Sequence, residues 1–219
     1  SDAPTAGGFE DAGVTPEDAW EYCVIGCNEL GIPGRSAESA TATAGSLIYA
    51  DLLRQALLAH PNPGSLRSAE AVLDCLEETM ARRASEMRRN GLAHRRRMAE
   101  CVPTPFTSAL MRGCIRRGQD LLVGMEYHLP GIYERGFTNA VNALAAIEEV
   151  VFRQRTLSME ELVQAVREDF PDPGVRERLR AAPQWGSDDD RADRWALALL
   201  ERRERVLNAV DAEDGGRPH

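Results

Sequence analysis

The stretch EYCVIGCNELGIPG, Glu21 to Gly34, decides how this chain is read. Its apolar, β-branched run, Tyr22 to Ile25, has the composition of a short strand. Gly26 ends that run, and Gly31, Pro33 and Gly34 demand a tight turn a few residues later. Cys27-Asn28-Glu29 falls between them. In extended or loop backbone, residues two apart point to the same side, so the Cys27 sulfur and the Glu29 carboxylate face one space. A carboxylate neighbour raises the pKa of a thiol and works against a nucleophilic thiolate. The spacing leaves two readings open: a protonated thiol used for something other than nucleophilic attack, and a structural thiol buried at a strand end.

Outward from this stretch, helix signals dominate. Thr15-Pro16-Glu17-Asp18 supplies a capping hydroxyl, a proline at the first helical position and acids in the first turn, which predicts a helix to about Glu21. SAESATATAGSLIYADLLRQALLAH, from Ser36, carries Leu47, Ile48, Leu52 and Leu58 at helical spacing, and Pro61 and Pro63 end it. A second long helix is expected over about Ser68 to Arg89, with Val72, Leu73, Leu76, Met80 and Met87 on one stripe. Pro103 and Pro105 call for extended backbone before a short helix stopped by Gly118. LLVGMEYHLPG reads as a strand interrupted at Gly124. Thr138 caps NAVNALAAIEEVVFRQ, Ser158 and Glu161 form a capping box, and a last helix runs from about Asp189 to Val210. The expected fold class is α-rich α/β, six or seven helices around a few short strands. Residues 1–12 and 212–219 read as a loose N-terminus and a loose tail about one domain, 13–211.

Composition narrows the function. A chain of 219 residues with 43% hydrophobic content buries a real core. No run of eighteen apolar residues and no leader pattern is present, which predicts a cytoplasmic protein without a membrane partner. Five scattered cysteines, Cys23, Cys27, Cys75, Cys101 and Cys114, are expected to be reduced. Cys23 and Cys27 form a C-x-x-x-C pair without a third ligand at zinc or iron–sulfur spacing, so no metal is expected, and Cys23 reads as structural. The formal charge of -9 argues against nucleic acid. Seven arginines between Arg82 and Arg97 read as the solvated face of a helix whose apolar side is Met80, Ala84 and Met87. All 26 basic residues are arginine, which looks like a coding bias. The four histidines, His60, His94, His128 and His219, are isolated and read as surface or loop residues. Asp188-Asp189-Asp190 reads as a helix start and not as a cation site.

Several passages, taken in order, resemble the glycyl radical enzymes, the pyruvate formate-lyase-like group. GVTPEDAWEYCVIGCNELGIPGR, from Gly13 to Arg35, is similar to the catalytic-cysteine passage, in which a G-V-x-x-E-D-A-x-x-Y helix leads into G-C-V-E-P and a PGK-like turn. PTPFTSALMRGCIRRGQD resembles P-x-P-F-x-S followed by D-C-I-x-x-G-x-D. GMEYHLPGIYERGFTNAVNALAAIEEVVF resembles the passage from G-x-x-Y-N-F-x-G to N-V-A-D-S-L-A-A-I. PQWGSDDDRAD resembles P-K-Y-G-N-D-D-D-x-V-D, and the GGR near the end resembles the family's GG turn. Ordered matches over about Gly13 to Arg217 are far more specific than any one of them.

The resemblance implies a segment of a ten-stranded α/β barrel wrapped by helices, with the cysteine on a loop at its centre. It implies that Cys27 forms a thiyl radical and that Glu29 is the general base for a substrate hydroxyl. The C-x-E pattern is that of the dehydratase and lyase branch, the glycerol, propanediol and choline enzymes, which break C–O or C–N bonds. No bound cofactor is implied; the radical would be installed on a glycine by a radical-SAM activase. The R-V-x-G-Y passage that carries this glycine is not in the 219 residues, so a complementary chain is the expected partner. Unfinished strand edges predict self-association. The sequence departs from the family pattern at Asn28, Leu30, Thr41 and Asn142. The alternative expectation is an inactive homologue that serves as a binding or assembly module.

Overall fold

The computed structural model describes residues 2–25, 29–36, 45–129 and 132–213. They divide into two compact units. One takes the described residues of Ser1–Gly45, Ser85–Tyr133 and Asp211–His219, and the other takes Ser46–Ala84 and Glu134–Val210. The helix Ala69–Cys101 contributes its first half to the second unit and the rest to the first.

In the first unit, helix α1 (Ala3–Asp11) and the short α2 (Pro16–Ala19) lead into two short antiparallel strands, β1 (Cys23–Val24) and β2 (Leu30–Gly31). Residues 3–11 are therefore helical where composition predicted a loose N-terminus. Ala6 is fully buried in a cluster with Val14, Ala19 and Ile32, against which Phe9 and Tyr127 pack, and that burial orders the segment. Thr15 caps α2 as its sequence predicts, its hydroxyl accepting the Asp18 N–H at 3.3 Å.

A second cluster gathers Cys114, Leu121, Leu122 and Met125. Here the run read as an interrupted strand is a helical turn, Leu121–Gly124, whose N-cap is Asp120 accepting the Leu122 N–H at 3.0 Å. An acid before an apolar run is a helix-start signal, and it outweighs the β-like composition of Leu-Leu-Val. Gly118 ends the preceding turn, Cys114–Arg117, in the left-handed conformation, as expected of a helix stop.

The strand β3 (Gly45–Ile48), in the second unit except for Gly45, precedes helix α3 (Tyr49–Ala59). The expected helix from Ser36 is thus replaced at 45–48 by a strand paired with β4 (Ile132–Arg135), and residues 37–44 lie outside the described residues. Leu47 points inward and Ile48 outward, the alternation of a strand and not the spacing of a helix. Helix α3 packs on the helix Phe137–Ile147, burying Leu52, Leu53 and Leu57 along with Val141 and Leu144. Each fully buried side chain of this size contributes about 1.5–3 kcal/mol. That second helix starts one residue before the predicted cap Thr138, after Gly136 at φ 70°. The capping box forms as predicted: Ser158 Oγ accepts from the Glu161 N–H at 3.1 Å, and Glu161 Oε2 accepts from the Ser158 N–H at 2.8 Å. Two further helices are Pro173–Arg180, which the sequence reading missed, and Asp190–Glu213.

The long helix corrects another expectation. Met80, Ala84 and Met87 are buried and most of the arginines are exposed, but Arg95 is only 7% exposed. His128 lies in a loop, as read, and is half-buried: burial pushes its imidazole pKa down, helped by Arg95 and Arg117. Among the described residues, no helix is long and apolar enough to cross a membrane.

Candidate active site

The frame of the site is the β1–β2 hairpin. Cys23 is paired with Gly31 and Val24 with Leu30, and beyond them the Ile25 N–H donates to the Glu29 carbonyl at 2.7 Å. Glu29 is therefore seated on the hairpin by its own backbone. Leu30, where the family pattern has proline, keeps its place in the strand. Cys27, with Gly26 and Asn28, lies outside the described residues. Thr41 lies outside them too.

The chain after the hairpin is pinned as tightly. The Ile32 carbonyl accepts from the Arg35 and Ser36 N–H groups, and the Ile32 N–H donates to Ser36 Oγ at 2.9 Å. Gly34, at φ 70°, closes this turn in a conformation that favours glycine. Its carbonyl accepts from Arg112 N–H at 2.7 Å, and the Arg35 carbonyl accepts from Tyr127 N–H at 3.1 Å.

Asp18, on α2 just before the hairpin in sequence, is 5% exposed. The Tyr127 hydroxyl donates to its Oδ2 at 2.6 Å, and the Arg35 guanidinium pairs with the same oxygen. The Tyr127 hydrogen bond, with Arg35 and Arg112 and against the cost of burial, holds the Asp18 carboxyl below the usual carboxylate range. A buried carboxylate paired on this scale is expensive to leave without its partners. Sequence reading assigned Asp18 only to a helix start. Tyr127 is 109 residues away, and no local spacing pointed to it.

At the hairpin itself, the Tyr133 hydroxyl donates to Glu29 Oε1 at 2.5 Å. Both residues are half-buried. A second polar staple supports the passage after Pro103: Asp120 Oδ2 accepts from Thr104 N–H at 2.6 Å, Thr104 hydroxyl at 2.9 Å and Ser108 hydroxyl at 3.2 Å. Burial alone would raise the Asp120 pKa, yet these donors and the Leu122 N–H hold it low. The Ser108 oxygen also accepts from the Leu121 N–H. In the second unit, Asn142 Oδ1 accepts from the Trp185 N–H at 2.8 Å, tying two further passages together. Cys23, Cys75, Cys101 and Cys114 are free thiols, and no metal-holding group of His, Cys, Asp or Glu occurs among the described residues.

The passages joined by these bonds are those whose order suggested a family, and a family model described as pyruvate formate lyase-like matches residues 7–219. The chain belongs to this glycyl radical enzyme family. Among curated relatives of the pyruvate formate-lyase-like chain, the (2S)-3-sulfopropanediol dehydratase of Klebsiella oxytoca is 28% identical, over 99% of this chain and 28% of its own length. The probable dehydratase YbiW of Escherichia coli is 26% identical, over 84% of this chain and 25% of its own. Among solved structures, a glycyl radical enzyme from Archaeoglobus fulgidus superposes with a TM-score of 0.78 at 26% identity, covering 94% of this chain and 28% of that one. The glycerol-bound B12-independent glycerol dehydratase from Clostridium butyricum shares the fold with a TM-score of 0.80, over 95% of this chain and 28% of that one. The pyruvate formate-lyase-like chain thus spans 25–28% of these relatives' length and has the fold of a partial segment of their barrel.

Proposed function

We propose that this chain carries the hydrogen-transfer cysteine and the general base of a radical dehydratase or lyase, acting on a small hydroxylated substrate by C–O or C–N bond elimination. The observation that carries the proposal is Glu29, held by backbone and side chain on a stiff hairpin two residues from Cys27, within a chain of this family. A carboxylate there suits the chemistry. It disfavours the thiolate and so preserves the S–H bond, the hydrogen-atom donor and acceptor a radical reaction needs. A glycyl radical, supplied by a complementary chain and installed by a radical-SAM activase, provides the initial hydrogen-atom acceptor.

Each residue then has one task. Cys27 takes a hydrogen atom from a substrate carbon as a thiyl and returns one to the product as a thiol, so sulfur ends as it began. Glu29 accepts the proton of the hydroxyl on that carbon, which weakens the neighbouring C–O or C–N bond and drives out its leaving group. The buried Asp18, with the half-buried Arg35 and Tyr127, ties α2 to the turn that follows the hairpin and touches no reacting atom. The setting is the cytoplasm, and the chain associates with itself or with its radical partner.

The test is anaerobic incubation with an activase and a chain bearing the radical glycine, followed by electron paramagnetic resonance and assay of carbonyl product from a 1,2-diol or a choline-like amino alcohol. Product appearing only when this chain is present supports the proposal. A partner radical that forms with no product from any such substrate favours instead an inactive homologue that serves as an assembly module.

A further inference from the structure

We infer that Tyr133 is a positioning residue for the Glu29 carboxylate; this rests on Glu29 being the base. The hairpin fixes only the Glu29 backbone, through the Ile25 N–H on its carbonyl and the Val24–Leu30 pair beside it. A glutamate side chain beyond that point still has three rotatable bonds, and burying one in a single geometry costs roughly 1–2 kcal/mol of rotamer freedom. The Tyr133 hydroxyl, 104 residues away in sequence, meets that need by donating to Oε1. Tyr133 itself lies in the strand Ile132–Arg135. Tyrosine has two side-chain torsions and a flat, rigid ring, so it is a stiff donor.

The kind of donor also matters. A guanidinium in this place would hold the carboxylate equally well, but its charge would lower the basicity of the group far more. A neutral phenol aims the carboxylate without itself adding a positive charge beside it.

The experiment replaces Tyr133 with 3-fluorotyrosine and follows its 19F resonance in the isolated chain. Glu29→Gln is expected to move that resonance clearly, whereas Glu149→Gln, in the other unit, is expected to leave it in place. A resonance indifferent to Glu29→Gln would overturn the assignment. In the reconstituted reaction, Tyr133→Phe keeps the ring and is expected to lower kcat roughly tenfold with KM unchanged. An unchanged kcat in Tyr133→Phe would also overturn it. The two readings fail separately: Glu29→Gln turning over at the native rate would remove the base itself, whatever the fluorine signal shows.

Discussion

The Tyr127 hydroxyl donates to the Asp18 carboxylate at 2.6 Å, joining residues 109 apart in sequence. Arg35 pairs with the same carboxylate from the turn that follows the hairpin. Helix, turn and a distant loop thus meet at one buried charge. Asp18→Asn keeps the shape and removes that charge, and is expected to destabilise the first unit by about 1–3 kcal/mol in urea unfolding.

The same residue sets an acid sensitivity. Its folded pKa is lowered, so its contribution is complete above the unfolded value of about 4 and is lost as pH falls through the lower folded value. Melting temperature measured from pH 6 down to pH 2 is expected to fall more steeply in the native chain than in Asp18→Asn. Parallel profiles would show that the carboxylate contributes nothing.

Tyr49 gives the opposite sign in the second unit. Burial, with the Glu134 carboxylate bonded to its hydroxyl, pushes its phenol well above the usual tyrosine range. A raised folded pKa gives stability that is present below the unfolded value, about 10, and lost as pH rises past it. Tyr49→Phe is expected to flatten the loss of stability between about pH 9.5 and 11, read by thermal unfolding.

Gly124 is required by space. A Cβ there would lie 2.9 Å from Gln119 Cβ and 3.0 Å from the Gln119 carbonyl oxygen. Gly124→Ala is therefore expected to cost about 1–3 kcal/mol in urea unfolding. A neutral result would mean that the turn after Asp120 yields easily.

Much of this was legible in the sequence because it is local chemistry. Thr15 and Ser158 cap helices through atoms three residues away, and Met80, Ala84 and Met87 lie on one helical face. The seat of Glu29 was legible as a turn between glycines, and the hairpin realises it. What could not be read was long-range. Asp18 meets Tyr127 and Arg35, and Glu29 meets Tyr133, only after folding, and Arg95 is buried among arginines that mostly face water. Leu121–Gly124 was misread because its β-like side chains say less than the capping acid before them.

The central claim is that Cys27 transfers the hydrogen and Glu29 takes the proton. The most direct measurement is product formation by the activated assembly carrying Cys27→Ser or Glu29→Gln, with the partner's glycyl signal recorded in each. The account predicts an intact radical signal in all three, with product undetectable for Cys27→Ser and reduced at least about 100-fold for Glu29→Gln. Turnover by Cys27→Ser at the native rate would contradict it.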